Sequence, residues 1–367
     1  MGHAVIGIVI IGRNEGARLV RGLASMSELG CALVYVDSGS TDDSVAAARA
    51  AGAEVVLLDT DAPFTAARAR NAGWRRLCET RAADMVQFVD GDCQLAEGWL
   101  DAGAAALEAD AGLAGVAGRR REVAPGASPY NRVCDMEWDT PVGEARALGG
   151  DALYRQAALE AVGGFDPGYI CGEEPEMAHR MRAAGWRLAR IDAEMTRHDA
   201  AIHGFAAYWR RGIRSGWAYA EGAATYEAAA GRGPNHDGVR RAVTGGAVLP
   251  GAAVASALLA IALAALGSPA WIAAALSAFG ALAGLGLLVV RTALSRTRRG
   301  DPWRHAVLYG ALVTASKPAQ ALGVFRYRRT RAKGRAATII EYKGAAREGA
   351  GHGSRGQARA DAPAEAR

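Results

Sequence analysis

Residues 4–11 are a β-rich apolar run, ended by the polar string Gly12-Arg13-Asn14-Glu15-Gly16. The run predicts a strand and the string a loop, with a helix-compatible stretch continuing to about residue 27. Residues 32–36 predict a second strand, and Asp37-Ser38-Gly39-Ser40-Thr41-Asp42-Asp43 a polar loop from which Thr41 or Asp42 caps a helix to about residue 51. A third strand is expected at 54–58 and a helix at 63–78 carrying Arg68, Arg70 and Asn71. Further on, strands at 85–89 and 113–118 bracket a helix at 97–109. Strands alternating with helices of this length predict an α/β domain with a doubly wound, mostly parallel sheet. The polar loops after the first, second and fourth strands then share one edge, where open α/β sheets bind their ligands.

The pattern changes past residue 204. Phe205, Trp209, Ile213 and Trp217 recur every four residues beside Arg210, Arg211 and Arg214, which predicts an amphipathic helix in a membrane interface. From 242 to 290 there is no charged residue and no histidine, although charged residues make up 22% of the chain. This stretch divides at Gly267-Ser268-Pro269, and each half suffices to cross the ~30 Å hydrocarbon core at 1.5 Å per residue. A transmembrane helical hairpin is therefore expected. Residues 306–316 are too short to span and are interrupted by Lys317-Pro318, which reads as an interfacial or re-entrant segment. The expected organisation is an α/β domain at 1–204, an interfacial helix and linker at 205–241, two spans at 242–291, a basic and interfacial region at 292–343, and a disordered tail at 344–367.

Charge adds direction to this layout. The net charge is +5, and the excess lies in Arg326-Tyr327-Arg328-Arg329-Thr330-Arg331-Ala332-Lys333-Gly334-Arg335. A basic run beside apolar segments points to anionic lipid rather than nucleic acid. Arg240 and Arg241 precede the hairpin, Arg291, Arg296, Arg298 and Arg299 come after it, and its turn is uncharged. The positive-inside rule puts both flanks in the cytosol, so a multi-pass protein of the inner (plasma) membrane with the α/β domain in the cytoplasm is expected. The five cysteines form no Cys-x-x-Cys pair, which favours a reducing compartment and argues against zinc. With a strand starting almost at once, no signal peptide is expected.

Two acidic groups are candidates for chemistry. Asp90-Gly91-Asp92 comes directly after the 85–89 strand, so both carboxylates can converge on one hard cation while Gly91 lets a diphosphate approach the backbone. The plainer alternative is an acidic turn. Gly172-Glu173-Glu174-Pro175-Glu176 opens a helix expected from about 175 to 184, with Glu176 and Arg180 forming an i, i+4 pair. Glu174 then stands at the helix mouth, where the dipole keeps it ionised, and a carboxylate there suits a general base. Three ordinary acidic residues of a first turn are the alternative. Arg119-Arg120-Arg121 comes after the 113–118 strand and reads as a solvated cluster.

Ile10-Ile11-Gly12-Arg13-Asn14-Glu15, Val36-Asp37-Ser38-Gly39-Ser40-Thr41-Asp42, Ala69-Arg70-Asn71-Ala72-Gly73, Val89-Asp90-Gly91-Asp92, Gly149-Gly150-Asp151-Ala152-Leu153-Tyr154-Arg155, Gly163-Gly164-Phe165-Asp166 and Gly172-Glu173-Glu174-Pro175-Glu176-Met177-Ala178-His179-Arg180 occur in that order. Over roughly residues 4–200 the chain thereby resembles the family-2 glycosyltransferases with the nucleotide-sugar-binding GT-A fold. The resemblance implies that Glu15 and Asp37 hold the nucleoside, that Arg70 reaches the diphosphate or sugar, that Asp90 contacts ribose or metal, and that Asp92 is the direct ligand of Mg²⁺ or Mn²⁺. Family members often have a second acidic residue where this chain has Ser38, and usually aspartate where it has Glu174. Glu174 is the implied base, with Glu173 beside it as the alternative. His198 lies where some GT-A enzymes supply a further metal ligand, and Asp199 is placed to orient it. Residues 134–139 with Gly149-Gly150-Asp151 correspond to an acceptor-facing segment. The Gln-x-x-Arg-Trp motif of processive synthases is absent, so a non-processive enzyme is expected.

Together the motifs and the apolar hairpin imply a metal-dependent, inverting transferase taking a nucleotide-sugar donor and a lipid-linked or cell-envelope glycan acceptor, with sugar transfer to a polyprenyl phosphate as the alternative. A non-catalytic nucleotide-binding module would predict a broken acidic clamp, and a nucleotidyltransferase a Gly-rich, basic loop for a triphosphate. Neither pattern is present in Asp90-Gly91-Asp92 or in Gly12-Arg13-Asn14-Glu15-Gly16.

Overall fold

The apolar run at the start of the chain becomes β1 (Ile6–Gly12), whose central residues are buried on both faces, as a parallel strand between helices requires. A computed structural model describes residues 4–59, 61, 62, 64–80, 83–230 and 233–334. Next in the chain are α1 (Ala17–Ala24), β2 (Ala32–Asp37), α2 (Ser44–Ala50), β3 (Glu54–Leu57), α3 (Ala66–Thr80) and β4 (Met85–Asp90). β1 pairs in parallel with β2 and β4, and β2 with β3, so this half is doubly wound as expected. Residue 63, the predicted start of the third helix, lies outside the described residues.

The second half of the sheet is mixed. It comprises β5 (Cys93–Leu95), α4 (Trp99–Ala109), β6 (Leu113–Glu122), α5 (Pro129–Trp138), β7 (Gly143–Glu144), β8 (Ala152–Arg155), α6 (Gln156–Val162), α7 (Glu173–Ala183) and β9 (Arg187–His198). The strand order is β3-β2-β1-β4-β8-β6-β9-β5, with β7 also on β9. β8 runs antiparallel to both β4 and β6, while β6 and β9 are parallel. Two expectations need correction. β6 continues through the three arginines to Glu122 instead of ending at 118, because β9 keeps pairing with it across register shifts. α7 begins at Glu173, not at 175, so Glu174 lies inside the first turn.

Gly91 is required by the sheet. Its N–H donates to Ile11 O at 2.8 Å, and a Cβ there would lie 3.0 Å from that oxygen. The acidic turn is thus pressed against the end of β1, which fixes where Asp90 and Asp92 sit.

After β9 come α8 (Phe205–Ala224), α9 (Tyr226–Ala230), α10 (Pro234–Val243), a π-helical turn at Thr244–Val248, α11 (Leu249–Ala265), α12 (Trp271–Thr297), α13 (Trp303–Ala315) and α14 (Lys317–Ala332). The continuous helix Pro234–Ala265 and the helix Trp271–Thr297 are each long and apolar enough to cross a membrane, and Leu258, Ile261, Leu276 and Phe279 point outward from them. The turn between them matches the predicted Gly267-Ser268-Pro269 division, but the first helix starts well before 242. Residues 306–316 are part of α13 up to Ala315, and the basic run from 326 lies on α14 up to Ala332; Arg335 and the expected tail at 344–367 fall outside the described residues.

The apolar stripe of α8 is divided between two jobs. Ile213 and Trp217 are buried, and Trp217 packs edge-on against Tyr327 of α14 at 5.3 Å, whereas Phe205 is half-exposed beside Trp209. The close approach needs Gly216, since a Cβ there would overlap Gln320 O of α14. Gly216→Ala is expected to cost about 1–3 kcal/mol by overpacking. The check is the thermal midpoint of the full chain in detergent; an unchanged midpoint would show that α14 does not clamp α8.

Candidate active site

The carboxyl ends of β1 and β4 open into a cleft of about 610 Å³ that Glu15, Asp90, Asp92, His198, Glu173 and Glu174 all line. That volume is in the range of ordinary small-ligand sites. Of the residues predicted to bind donor or metal or to act as base, Asp37 stays out of the lining; of the predicted acceptor-facing residues 134–139 and 149–151, Trp138 reaches it and the others do not.

Asp92 and His198 come together because β5 and β9 pair with Cys93 opposite His198. His198 Nε2 lies 3.1 Å from Asp92 Oδ2, and the imidazole is stacked on Trp138, ring centroids 4.6 Å apart at 9°. Burial, then the Arg120 charge, lowers the His198 pKa, so the ring is neutral and suited to ligate. Asp199 donates its N–H to Asp92 O at 3.0 Å and its carboxylate meets Arg21 at 3.5 Å. Cys93 lies within 4.8 Å of the same two ligand atoms. Its thiol is pushed well above the usual range by burial and then by Asp151, whose Oδ2 it faces at 3.3 Å, so it remains protonated. A carboxylate with a neutral imidazole suits a divalent cation such as Mn²⁺, and the residues present fit one.

Arg70 ties the two acidic groups together. Its Nη2 meets Asp90 Oδ1 at 2.9 Å, and its Nη1 meets Glu173 Oε1 at 2.8 Å and Glu174 Oε1 at 3.5 Å. Burial alone would lower its pKa, but Asp90, Glu174 and Glu173 together raise it above the ordinary arginine value. The guanidinium also lies over the Phe165 ring at 5.5 Å, a contact that a solvated helix face would not make.

Glu174 keeps 20% of its side chain exposed to the cleft. Burial, together with the charge of Glu173, raises its pKa to about 7 against the pull of Arg70. This reverses the expectation that the helix dipole keeps it ionised: desolvation and a like charge outweigh the first-turn N–H groups. Glu173 is almost fully enclosed and held by Arg70.

Asp37 is 3% exposed, and its Oδ2 accepts from the N–H groups of Gly39 and Ser40 at 2.9 and 2.8 Å while Tyr35 O–H donates to Oδ1 at 3.1 Å. It organises the loop whose Ser38 reaches the cleft. Glu15 lines the cleft with Arg18, which it meets at 3.0 Å.

Sequence reasoning missed the far wall. Arg120, expected in solvent, is largely buried, pairs with Asp151 Oδ2 at 2.7 Å and lies 5.7 Å from the Trp138 ring centroid. Arg119 and Arg121 alternate outward and meet Asp192 and Asp135. Asp151, fully enclosed, also accepts from Asp90 N–H at 3.1 Å and Thr196 O–H at 2.9 Å. Period-2 alternation within 119–121 is the signal that could have found it. Arg211 and Arg214 of α8 complete this wall, brought there by packing that no local pattern records.

Residues 7–156 match the family model "Glycosyl transferase family 2". Over 213 residues the chain is 28% identical to the pre-mycofactocin glycosyltransferase of Mycobacterium tuberculosis, in strains CDC 1551 and H37Rv alike; the match covers 54% of this chain and 43% of each relative. The chain thus spans less than half the length of the curated relatives it matches. Among solved structures, the mannosyltransferase PcManGT from Pyrobaculum calidifontis, in complex with GDP-Man and Mn²⁺, superposes with a TM-score of 0.52 at 18% identity, covering 88% of both chains. Over residues 7–156 the chain is thus similar to the family-2 glycosyltransferases, and its fold is the GT-A fold.

Proposed function

We propose that the protein is a membrane-anchored, metal-dependent, inverting and non-processive glycosyltransferase that moves a sugar from a nucleoside-diphosphate sugar to a hydroxyl of a lipid-linked or cell-envelope glycan acceptor. The observation that carries this reading is one cleft lined both by the Asp92–His198 pair and by Glu174, a carboxyl group with a pKa raised to about 7. Asp92, His198 and Asp90 would hold Mg²⁺ or Mn²⁺, which supplies charge neutralisation for a diphosphate leaving group. The Pyrobaculum enzyme of the same fold is in complex with GDP-Man and Mn²⁺.

Residues 12–15 and Ser38 line the side of the cleft that this reading gives to the nucleoside, and Arg70 pairs with Asp90 and Glu173. Glu174 takes the proton of the acceptor hydroxyl while that oxygen bonds to the anomeric carbon from the side opposite the leaving group. The bond from that carbon to the diphosphate oxygen breaks, and its electron pair departs with the diphosphate. Glu173 is less suited as base because Arg70 already occupies its carboxylate at 2.8 Å. The direct test is a panel of nucleotide sugars with Mn²⁺ or Mg²⁺ on the full chain in detergent, read by thermal midpoint and donor hydrolysis. One nucleoside class should raise the midpoint only with cation present; no response from any donor would overturn the reading.

For topology, both flanks of the hairpin are cytosolic in this proposal, with the basic face of α14 toward anionic lipid. In intact cells, in a background lacking the native cysteines, a membrane-impermeant thiol reagent is expected to label Ser268→Cys and not Arg299→Cys. The opposite pattern, or a chain soluble without detergent, would remove the membrane anchor from the proposal.

A further inference from the structure

We propose that the wall formed by β6, α5 and α8 binds an anionic group of the acceptor, a phosphate or carboxylate, and that Arg120 is the residue that reads it. This rests on the glycosyltransferase reading above and names the acceptor's chemistry.

The arginines of the cleft separate by their partners. Arg13 lies over the Phe64 ring at 5.1 Å and Arg18 meets Glu15 at 3.0 Å, both on the β1 side where a nucleoside would sit. Arg70 is shared among three carboxylates. Arg120 is different. Its side chain is 15% exposed, yet among the described residues it meets only one carboxylate oxygen, Asp151 Oδ2, and the ring of Trp138. Asp151 Oδ2 is itself divided with Thr196 and Cys93.

A guanidinium has five N–H donors. Enclosing one with so few acceptors is costly unless a ligand supplies more, and an anion supplies charge-assisted bonds of the strongest kind. Asp151 holds the cation in place without consuming the fork. Arg211, which meets Glu137 at 2.6 Å, and Arg214 line the same cleft from α8, the helix that packs on α14 and leads toward the apolar hairpin, from which a lipid-borne group would arrive. The same anion chemistry has three sources: a lipid phosphate, a soluble acceptor, and the donor's own diphosphate.

The test uses the full chain in detergent, saturated with Mn²⁺ and the nucleoside diphosphate that binds best. Inorganic phosphate is expected to bind this complex, and Arg120→Gln to weaken it by ~10-fold or more while nucleotide affinity changes less than ~3-fold, the size of a lost charge-assisted hydrogen bond. If Arg120→Gln does not fold, Arg120→Lys, which keeps the charge and loses the fork, should weaken phosphate selectively as well. Loss of nucleotide affinity in these variants, or no phosphate binding by the wild-type complex, overturns the proposal. Failure of every nucleoside diphosphate to bind the wild type would instead defeat the underlying reading. In nanodiscs, competition with inorganic phosphate by phosphatidic acid but not phosphatidylcholine assigns the anion to a lipid; no competition, with phosphate still bound, assigns it to a soluble acceptor, and either supports the role of Arg120.

Discussion

Asp92→Ala is expected to abolish cation-dependent binding of the nucleoside diphosphate and to reduce sugar transfer by roughly 10³-fold or more. A positioned cation contributes several kcal/mol to a developing phosphate charge, and each 1.36 kcal/mol is a factor of ten. Asp92, in the turn before β5, lies 3.1 Å from His198 of β9, and burial keeps the imidazole neutral. Removing it takes away the carboxylate that balances a cation at this point and leaves a neutral ring stacked on Trp138. The variant should fold, because Gly91 and not Asp92 makes the contact with β1. Calorimetric titration of the nucleoside diphosphate with and without Mn²⁺ reads the effect. Full activity of Asp92→Ala in the presence of chelator would exclude the metal-dependent mechanism.

The half of the cleft at β1, β2 and β4 is legible in the sequence because parallel strands buried on both faces leave an unmistakable trace. β1, β2 and β4 are apolar runs that stop at polar loops, and the loops are where the cleft opens. The other half is hidden for physical reasons. β6 carries its arginines inside a strand, one inward and two outward, and a cation facing a cleft looks in sequence like one facing water. Asp37 is expected to touch the nucleoside because an acidic residue after a strand has that role in the resembling family; its enclosure by Tyr35, Gly39 and Ser40 depends on how the loop folds back. The stripe on α8 has the right period and an incomplete assignment, since an apolar face reports that something covers it, not whether that is lipid or α14. The pKa of Glu174 moves against the expected direction because the dipole is a local property of the helix, while burial and the neighbouring Glu173 are tertiary ones.

Glu174→Gln is expected to retain donor binding and lose turnover by at least ~10²-fold, the size of a general-base contribution. Its pH signature separates it from a structural defect. With a pKa raised to about 7 by burial and Glu173, the carboxyl group is protonated and idle in mild acid, so wild-type turnover should rise through pH 7 and the variant's residual rate should stay flat. Stability runs the other way. The folded state holds this proton more tightly than the unfolded chain does, so between the ordinary 4.5 and about 7 the wild type loses stability as pH rises. Above that window it carries a buried charge beside Glu173 that glutamine does not. Glu174→Gln should therefore melt higher than wild type at pH 8, with the difference vanishing near pH 4, even as it is the less active protein. Glu173→Gln has the contrary profile: it removes a 2.8 Å partner of Arg70, so it should lower the thermal midpoint and weaken donor binding, and the rise in rate should persist but move to lower pH as the Glu173 charge is lost. A Glu173→Gln protein that loses turnover as deeply, together with an active Glu174→Gln, would transfer the base to position 173.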